Sequence, residues 1–131
     1  MATTTRTDTN IWPLLPAADA VALRSWLARI GFDEGVLVTN DDGNVQHSEM
    51  LWPEGGRLMV ATADPTNDHH RGGPGSASIY VVVGDPDGVH RRARDLGAEI
   101  ARPLEDTDYG SRGFTVRDPE GNSISFGTYS G

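Results

Sequence analysis

Ser78-Ile79-Tyr80-Val81-Val82-Val83-Gly84-Asp85-Pro86-Asp87, continued to Leu96-Gly97-Ala98, is the stretch that decides the fold. Its first part is a short apolar run bounded by glycine, which reads as a strand. Asp85 is then a helix cap, Pro86 suits the first helical position and Asp87 places an acid in the first turn. Val89, Ala93 and Leu96 form the apolar stripe of that helix, and Gly97 stops it. Upstream the same order is written once before. Trp12 opens a strand, Asp19 caps a helix with the stripe Val21, Leu23, Trp26, Leu27 and Ile30, and Gly31 stops it. Gly31 follows Trp12 by 19 residues and Gly97 follows Ser78 by 19. Self-similarity at a fixed spacing marks a repeated unit.

Each unit continues into further strands. Residues 36–39 and 45–52 flank Asn40-Asp41-Asp42-Gly43-Asn44, whose Asp-Gly is a hairpin signal. Pro53-Glu54-Gly55-Gly56 turns the chain into a strand at residues 57–62. In the second unit, residues 98–101 read as a short strand and 102–110 as a polar loop. Residues 114–117 and 123–128 then flank Asp118-Pro119-Glu120-Gly121-Asn122, another turn. The first strand is placed at residues 11–15, at an edge or a bulge because Pro13 lacks a backbone donor, and is closed by Pro16. The chain thus reads as α+β, one domain over residues 11–131, with modules at about 11–64 and 77–131. Residues 65–76, rich in Pro, Gly, Asn and Asp, form a linker. Residues 1–10 lack an apolar core and read as a frayed tail, not a leader or an anchor.

At 131 residues with 37% hydrophobic and 23% charged side chains, the chain has the size and make-up of a single globular domain. A net charge of −8 repels phosphate backbones and anionic membranes, so neither nucleic acid nor a membrane surface is an expected partner. The same charge favours a neutral or cationic ligand. The absence of cysteine excludes disulfides, thiolate metal sites and a cysteine nucleophile, and fits a cytoplasmic setting. No nucleophile elbow, phosphate-cradling glycine loop or zinc motif is present.

The second unit ends in Tyr109-Gly110-Ser111-Arg112-Gly113-Phe114-Thr115-Val116-Arg117-Asp118-Pro119-Glu120-Gly121-Asn122. With the repeat behind it, this stretch resembles the vicinal oxygen chelate superfamily, which includes glyoxalase I, extradiol dioxygenases and bleomycin-resistance proteins. The resemblance implies two βαβββ modules whose mixed sheets curl around a shared cleft, completed by a second subunit in a module-swapped homodimer. In the family's enzymes, His, Gln and Glu near the start of each first strand and on each last strand hold a divalent metal. Carried over, those positions are Trp12 and Ser78, and Met59 and Ser125. None supplies an imidazole or carboxylate donor. The resemblance therefore implies no metal, no cofactor and no catalytic residue. It points to the drug-sequestering branch, which binds a small aromatic natural product such as an antibiotic without transforming it. The alternative is a metal-dependent lyase or isomerase of the glyoxalase I type, and a second is a metal-free catalyst using His47 and Glu49.

Aromatic residues make up only 7% of the chain, yet Trp12, Trp52, Tyr80 and Phe114 fall on or beside strands expected to line the cleft, with Tyr109 in a loop before one. Flat rings suit a planar ligand, although each ring can equally serve the core. Leu14 shares a strand face with Trp12. His47, Arg112 and Ser78 are the polar groups expected to orient the ligand, and Met59, at its carried-over position, is also expected to bind it. Glu49 shares a face with His47. Trp26 and Phe126 are assigned to the core, and His69-His70 to solvated loop.

Overall fold

Asp19 and Asp85 begin the two helices in the same way. The Asp19 side chain accepts from the Ala22 amide at 3.0 Å and the Asp85 side chain from the Gly88 amide at 3.0 Å. Each satisfies an otherwise orphaned helix N–H. The computed structural model describes residues 11–131, and the tail expected at residues 1–10 lies outside the described residues. The element order is β1 (Leu14–Ala17), α1 (Ala20–Ile30), β2 (Asp33–Thr39), β3 (Val45–Leu51), β4 (Arg57–Thr62), β5 (Ser78–Val82), α2 (Pro86–Asp95), β6 (Glu99–Asp106), β7 (Arg112–Arg117) and β8 (Ser123–Gly127), with a 3₁₀ turn at Asp68–His70.

The fold is α+β with two modules, each a four-stranded mixed sheet. The strand orders are β1-β4-β3-β2 and β5-β8-β7-β6. In each, the first strand lies at one edge, parallel to the last strand, and the other pairs are antiparallel. The registers repeat as well. Leu14 faces Met59, which faces Glu49 on the next strand. Tyr80, Ser125 and Thr115 form the matching row, each 66 residues further on.

Several boundaries differ from the sequence reading. β1 begins at Leu14, not residue 11, and runs through Pro16 to Ala17. Pro16 is tolerated because β1 is an edge strand, so its missing N–H breaks no central ladder. The polar loop expected from residue 102 is instead the second half of β6, which continues to Asp106. Pairing with β7 holds it despite its composition, with register shifts on either side of Arg102. On α1, Val21 is exposed and Arg24 is buried in its place. The Arg24 guanidinium donates to the backbone oxygens of Glu49 and Val36, at 3.1 and 3.4 Å, so the buried charge has partners.

The core lies between the sheets and their helices and runs from one module into the other. Phe32 meets Trp52 edge-on at 4.9 Å, Trp52 meets Phe126 at 5.5 Å, and Phe126 stacks on Phe114 at 5.5 Å. Arg92 Nε also donates to the Ile30 carbonyl at 3.0 Å, tying α2 to the end of α1. The strand faces turned away from the helices carry the remaining side chains.

Candidate functional site

Alternation along β3 sends Ser48 and Met50 to the helix side, where both are fully buried, and His47, Glu49 and Leu51 to the opposite, open face. The registers place Leu14, Met59 and Glu49 in one row of that face and Arg57 beside Leu51 in the next. The Trp12 ring, 39% exposed, lies under the Arg57 guanidinium, whose centre is 4.7 Å from the ring centroid. Arg57 Nη1 in turn pairs with Glu49 Oε1, and the other carboxylate oxygen, Oε2, meets His47 Nε2 at 2.6 Å. Trp12, Arg57, Glu49 and His47 therefore form one chain of contacts that runs from the segment before β1 across β4 to β3.

Glu49 is 8% exposed. Its hydrogen bond to His47 is the main influence holding its carboxyl below the ordinary value, assisted by Arg57 and opposed by burial. His47 is more open, with a side chain 42% exposed. The arrangement presents an imidazole braced by a buried carboxylate whose charge a guanidinium already balances.

The open face of the second module differs in character. Thr115 and Ser125 share a hydrogen bond of 2.7 Å, Arg102 Nε donates to the Thr115 hydroxyl at 3.3 Å, and Arg117 donates to the Ser123 hydroxyl at 2.9 Å. Ser78, Tyr80 and Val82 are exposed along β5. The Tyr80 hydroxyl donates to the Tyr129 carbonyl at 2.7 Å. Between the modules a cavity of about 750 Å³ is lined by Phe32, Trp52 and Leu58 on one side and by Ile79, Tyr80 and Val83 on the other.

The expected site residues thus fall into groups. Leu14, His47 and Met59 share the first open face, with Trp12 stacked under Arg57 of that face. Ser78 and Tyr80 stand on β5, and Trp52 lines the cavity while packing into the core. Three others stand elsewhere. Phe114, expected on the cleft wall, is fully buried on the helix side, because it pairs with Phe126 and so shares its face. Arg112 is engaged by acids of its own module. Its guanidinium grips Asp87 with two bonds of 2.8 and 3.1 Å and Asp106 at 3.2 Å, and these acids, Asp87 foremost, hold it more firmly protonated. Tyr109 is exposed in the β6–β7 loop, edge-on to Tyr129 at 5.5 Å. Arg57 was missed in the sequence because it follows two glycines and reads only as the first residue of a strand.

Residues 15–126 match the Glyoxalase/Bleomycin resistance protein/Dioxygenase superfamily. The chain belongs to this superfamily. Among solved structures, the superfamily fold is shared with TioX from Micromonospora sp. ML1, at 26% identity over 94% of this chain and 98% of that one, with a TM-score of 0.74. A glyoxalase/bleomycin resistance protein from Streptomyces sp. CB03234 is 20% identical over 90% and 98%, with a TM-score of 0.72. TnmS3, an antibiotic binding protein from the same Streptomyces, is 20% identical over 96% of each chain, with a TM-score of 0.67. No curated protein matches the chain.

The residues present do not fit the metal that the superfamily's enzymes use. The resemblance carries those enzymes' ligand positions onto Trp12, Met59, Ser78 and Ser125, none of which is a His, Asp or Glu. Glu49, the carboxylate beside Met59, has both oxygens engaged by Arg57 and His47. No three His, Asp or Glu side chains group together as a ligand set among the described residues. Among the same residues, no helix is long and apolar enough to cross a membrane.

Proposed function

We propose that this protein binds and sequesters a small aromatic natural product, an antibiotic of the kind held by the drug-binding branch of its superfamily, without transforming it. The observation that carries this reading is the open face of the first module. There Trp12, Leu14 and Met59 offer an indole, an aliphatic chain and a thioether, and the resemblance carries the enzymes' metal-donor positions onto Trp12 and Met59. Flat rings and a polarizable sulfur bind planar ligands by offset stacking and dispersion. TnmS3, an antibiotic binding protein of the same fold, lends support by analogy.

The binding unit is a homodimer in which the curled sheets of two copies, exchanging module partners, close the clefts. Each first-module face meets a second-module face of the other copy, so that Ser78, Tyr80 and the Thr115–Ser125 hydroxyls complete the wall opposite Trp12 and His47. Val36, Leu37 and Val38 on the edge strand β2, with Val82 on β5, are exposed apolar residues that such a dimer would cover. The setting is the cytoplasm, where sequestration keeps a drug from its target at stoichiometric cost.

The test is titration of the purified protein with a panel of planar aromatic natural products, followed by tryptophan fluorescence and calorimetry. One ligand per cleft is expected, bound with no change in the ligand's mass. A Trp12→Ala variant that binds as tightly as the parent would sink the stacking reading. Turnover of the ligand on addition of a divalent metal would replace sequestration by metal-dependent catalysis.

A further inference from the structure

The net charge of −8 favours neutral or cationic ligands, but the local chemistry of the first open face is the opposite. Both oxygens of Glu49 are in use, one by Arg57 and one by His47 Nε2. The guanidinium cancels the charge of Glu49. A proton added to His47 therefore places a second positive charge beside the single carboxylate of Glu49, on a ring that is 42% exposed. On β2 the register neighbour of His47 is Val38, which brings no competing acid. The next charged residue in register on this face is Asp33, opposite Leu51.

We propose that the ligand is a planar aromatic acid, its rings against Trp12, Leu14 and Met59 and an acidic oxygen, phenolic or carboxylic, at His47 Nδ1; this rests on the aromatic-binding reading above. Glu49 engages Nε2, so Nδ1 is the nitrogen left to meet a ligand. An acidic oxygen and Nδ1 share one proton, and the hydrogen bond persists whichever of them holds it. When the ring holds it, the imidazolium is braced by Glu49 on one side and answered by the ligand anion on the other, a charge-assisted bond. An ether oxygen offers no proton to a neutral ring. An ammonium group would find both oxygens of Glu49 already engaged by Arg57 and His47, with no unengaged acceptor at that carboxylate. The reach also fits: β1 and β3 are separated by two interstrand spacings, about 10 Å, the length of about two or three fused rings.

Three naphthalenes test this on the intact protein by calorimetry: 1-hydroxy-2-naphthoate, 1-methoxynaphthalene and 1-naphthylmethylammonium. The acid is expected to bind at least about tenfold more tightly than the ether. His47→Gln should remove most of that preference while leaving the ether's affinity within about twofold. His47 is half-exposed, so this variant is expected to fold, and its thermal transition checks that it does. Equal binding of acid and ether, tightest binding of the ammonium compound, or an acid preference that survives His47→Gln overturns the acid assignment and leaves the aromatic reading standing. Failure of all three compounds to bind, or binding of the ether unaltered by Trp12→Ala, overturns the aromatic reading and the acid assignment with it.

Discussion

Glu54 and Glu120 hold the two modules together by the same contact made in opposite directions. Glu54 Oε2 accepts from the Gly84 amide, just before the second helix, at 3.0 Å. Glu120 accepts from the Ala18 and Asp19 amides, just before the first helix, at 2.8 and 3.0 Å. Ala18 and Gly84, like Glu54 and Glu120, are 66 residues apart, so the two clasps join equivalent positions of the repeated unit. Each Pro-Glu-Gly turn therefore does more than reverse its own hairpin. Its carboxylate caps the strand-to-helix turn of the other module.

Because Glu120 satisfies two backbone donors, Glu120→Ala should cost about 1.5–3 kcal/mol, the range for hydrogen bonds to a charged group. Glu54→Ala should cost less, since its carboxylate serves the Gly84 amide and, at 3.3 Å, the Trp52 indole N–H. Urea unfolding of the two single variants and the double variant checks the order. A Glu120→Ala protein as stable as the parent would show that the clasp contributes nothing.

Phe114 is a core residue, stacked on Phe126 and edge-on to His90 at 4.9 Å. Phe114→Ala should destabilise by about 3–5 kcal/mol, because the cavity it leaves is walled by packed sheet and helix. Ligand affinity per folded molecule should stay unchanged. Chemical denaturation and calorimetry at a temperature where the variant is folded separate the two effects.

The depressed carboxyl of Glu49 links stability to pH. A group whose folded value lies below its unfolded one stabilises the fold above the ordinary glutamate value of 4.5 and loses that contribution as pH falls through the lower folded value. The His47 hydrogen bond is the leading cause of the depression. His47→Gln should therefore bring acid unfolding to a higher pH while changing stability at neutral pH less than a core substitution does. Urea midpoints measured from neutral pH down to about pH 3 test this. Parallel profiles for parent and variant would contradict it.

Arg112 joins β7 to the start of α2 through Asp87 and to the end of β6 through Asp106. Arg112→Ala should lower stability slightly, more at low salt than at high salt, because these are exposed pairs. It should leave ligand affinity as it was. Loss of binding in a variant with an unchanged thermal transition would return Arg112 to the ligand site.

Much of the architecture was legible in the chain because it rests on local rules. The two aspartate caps, the glycine stops and the hairpin turns each depend on a few neighbouring residues, and all stand where the sequence places them. The site was less legible. His47 and Glu49 share a face by simple alternation, but that this face is open follows only from Ser48 and Met50 being buried against the helix side. Only the first half of the strand at Glu99–Asp106 is legible in the sequence, because its second half is polar in composition and is held by pairing with β7. Phe114 and Phe126 were assigned opposite roles, although the pairing of β7 with β8 gives them the same one.

The sequence by itself determined that this protein is one strand-helix-meander unit written twice, with Trp12, Met59, Ser78 and Ser125 at the positions carried over from metal-using relatives. The repeat is carried by spacing and residue type, which no partner can alter, and the metal positions by the resemblance to those relatives. Only the tertiary structure decided that Arg57 reaches both Trp12 and Glu49, that Arg112 is held by Asp87 and Asp106, and that Glu54 and Glu120 clasp opposite modules. A charged side chain can pair with any opposite charge or backbone group within reach. Which one it meets is set by strand order, register and the packing of distant segments, none of which is written at the residue itself.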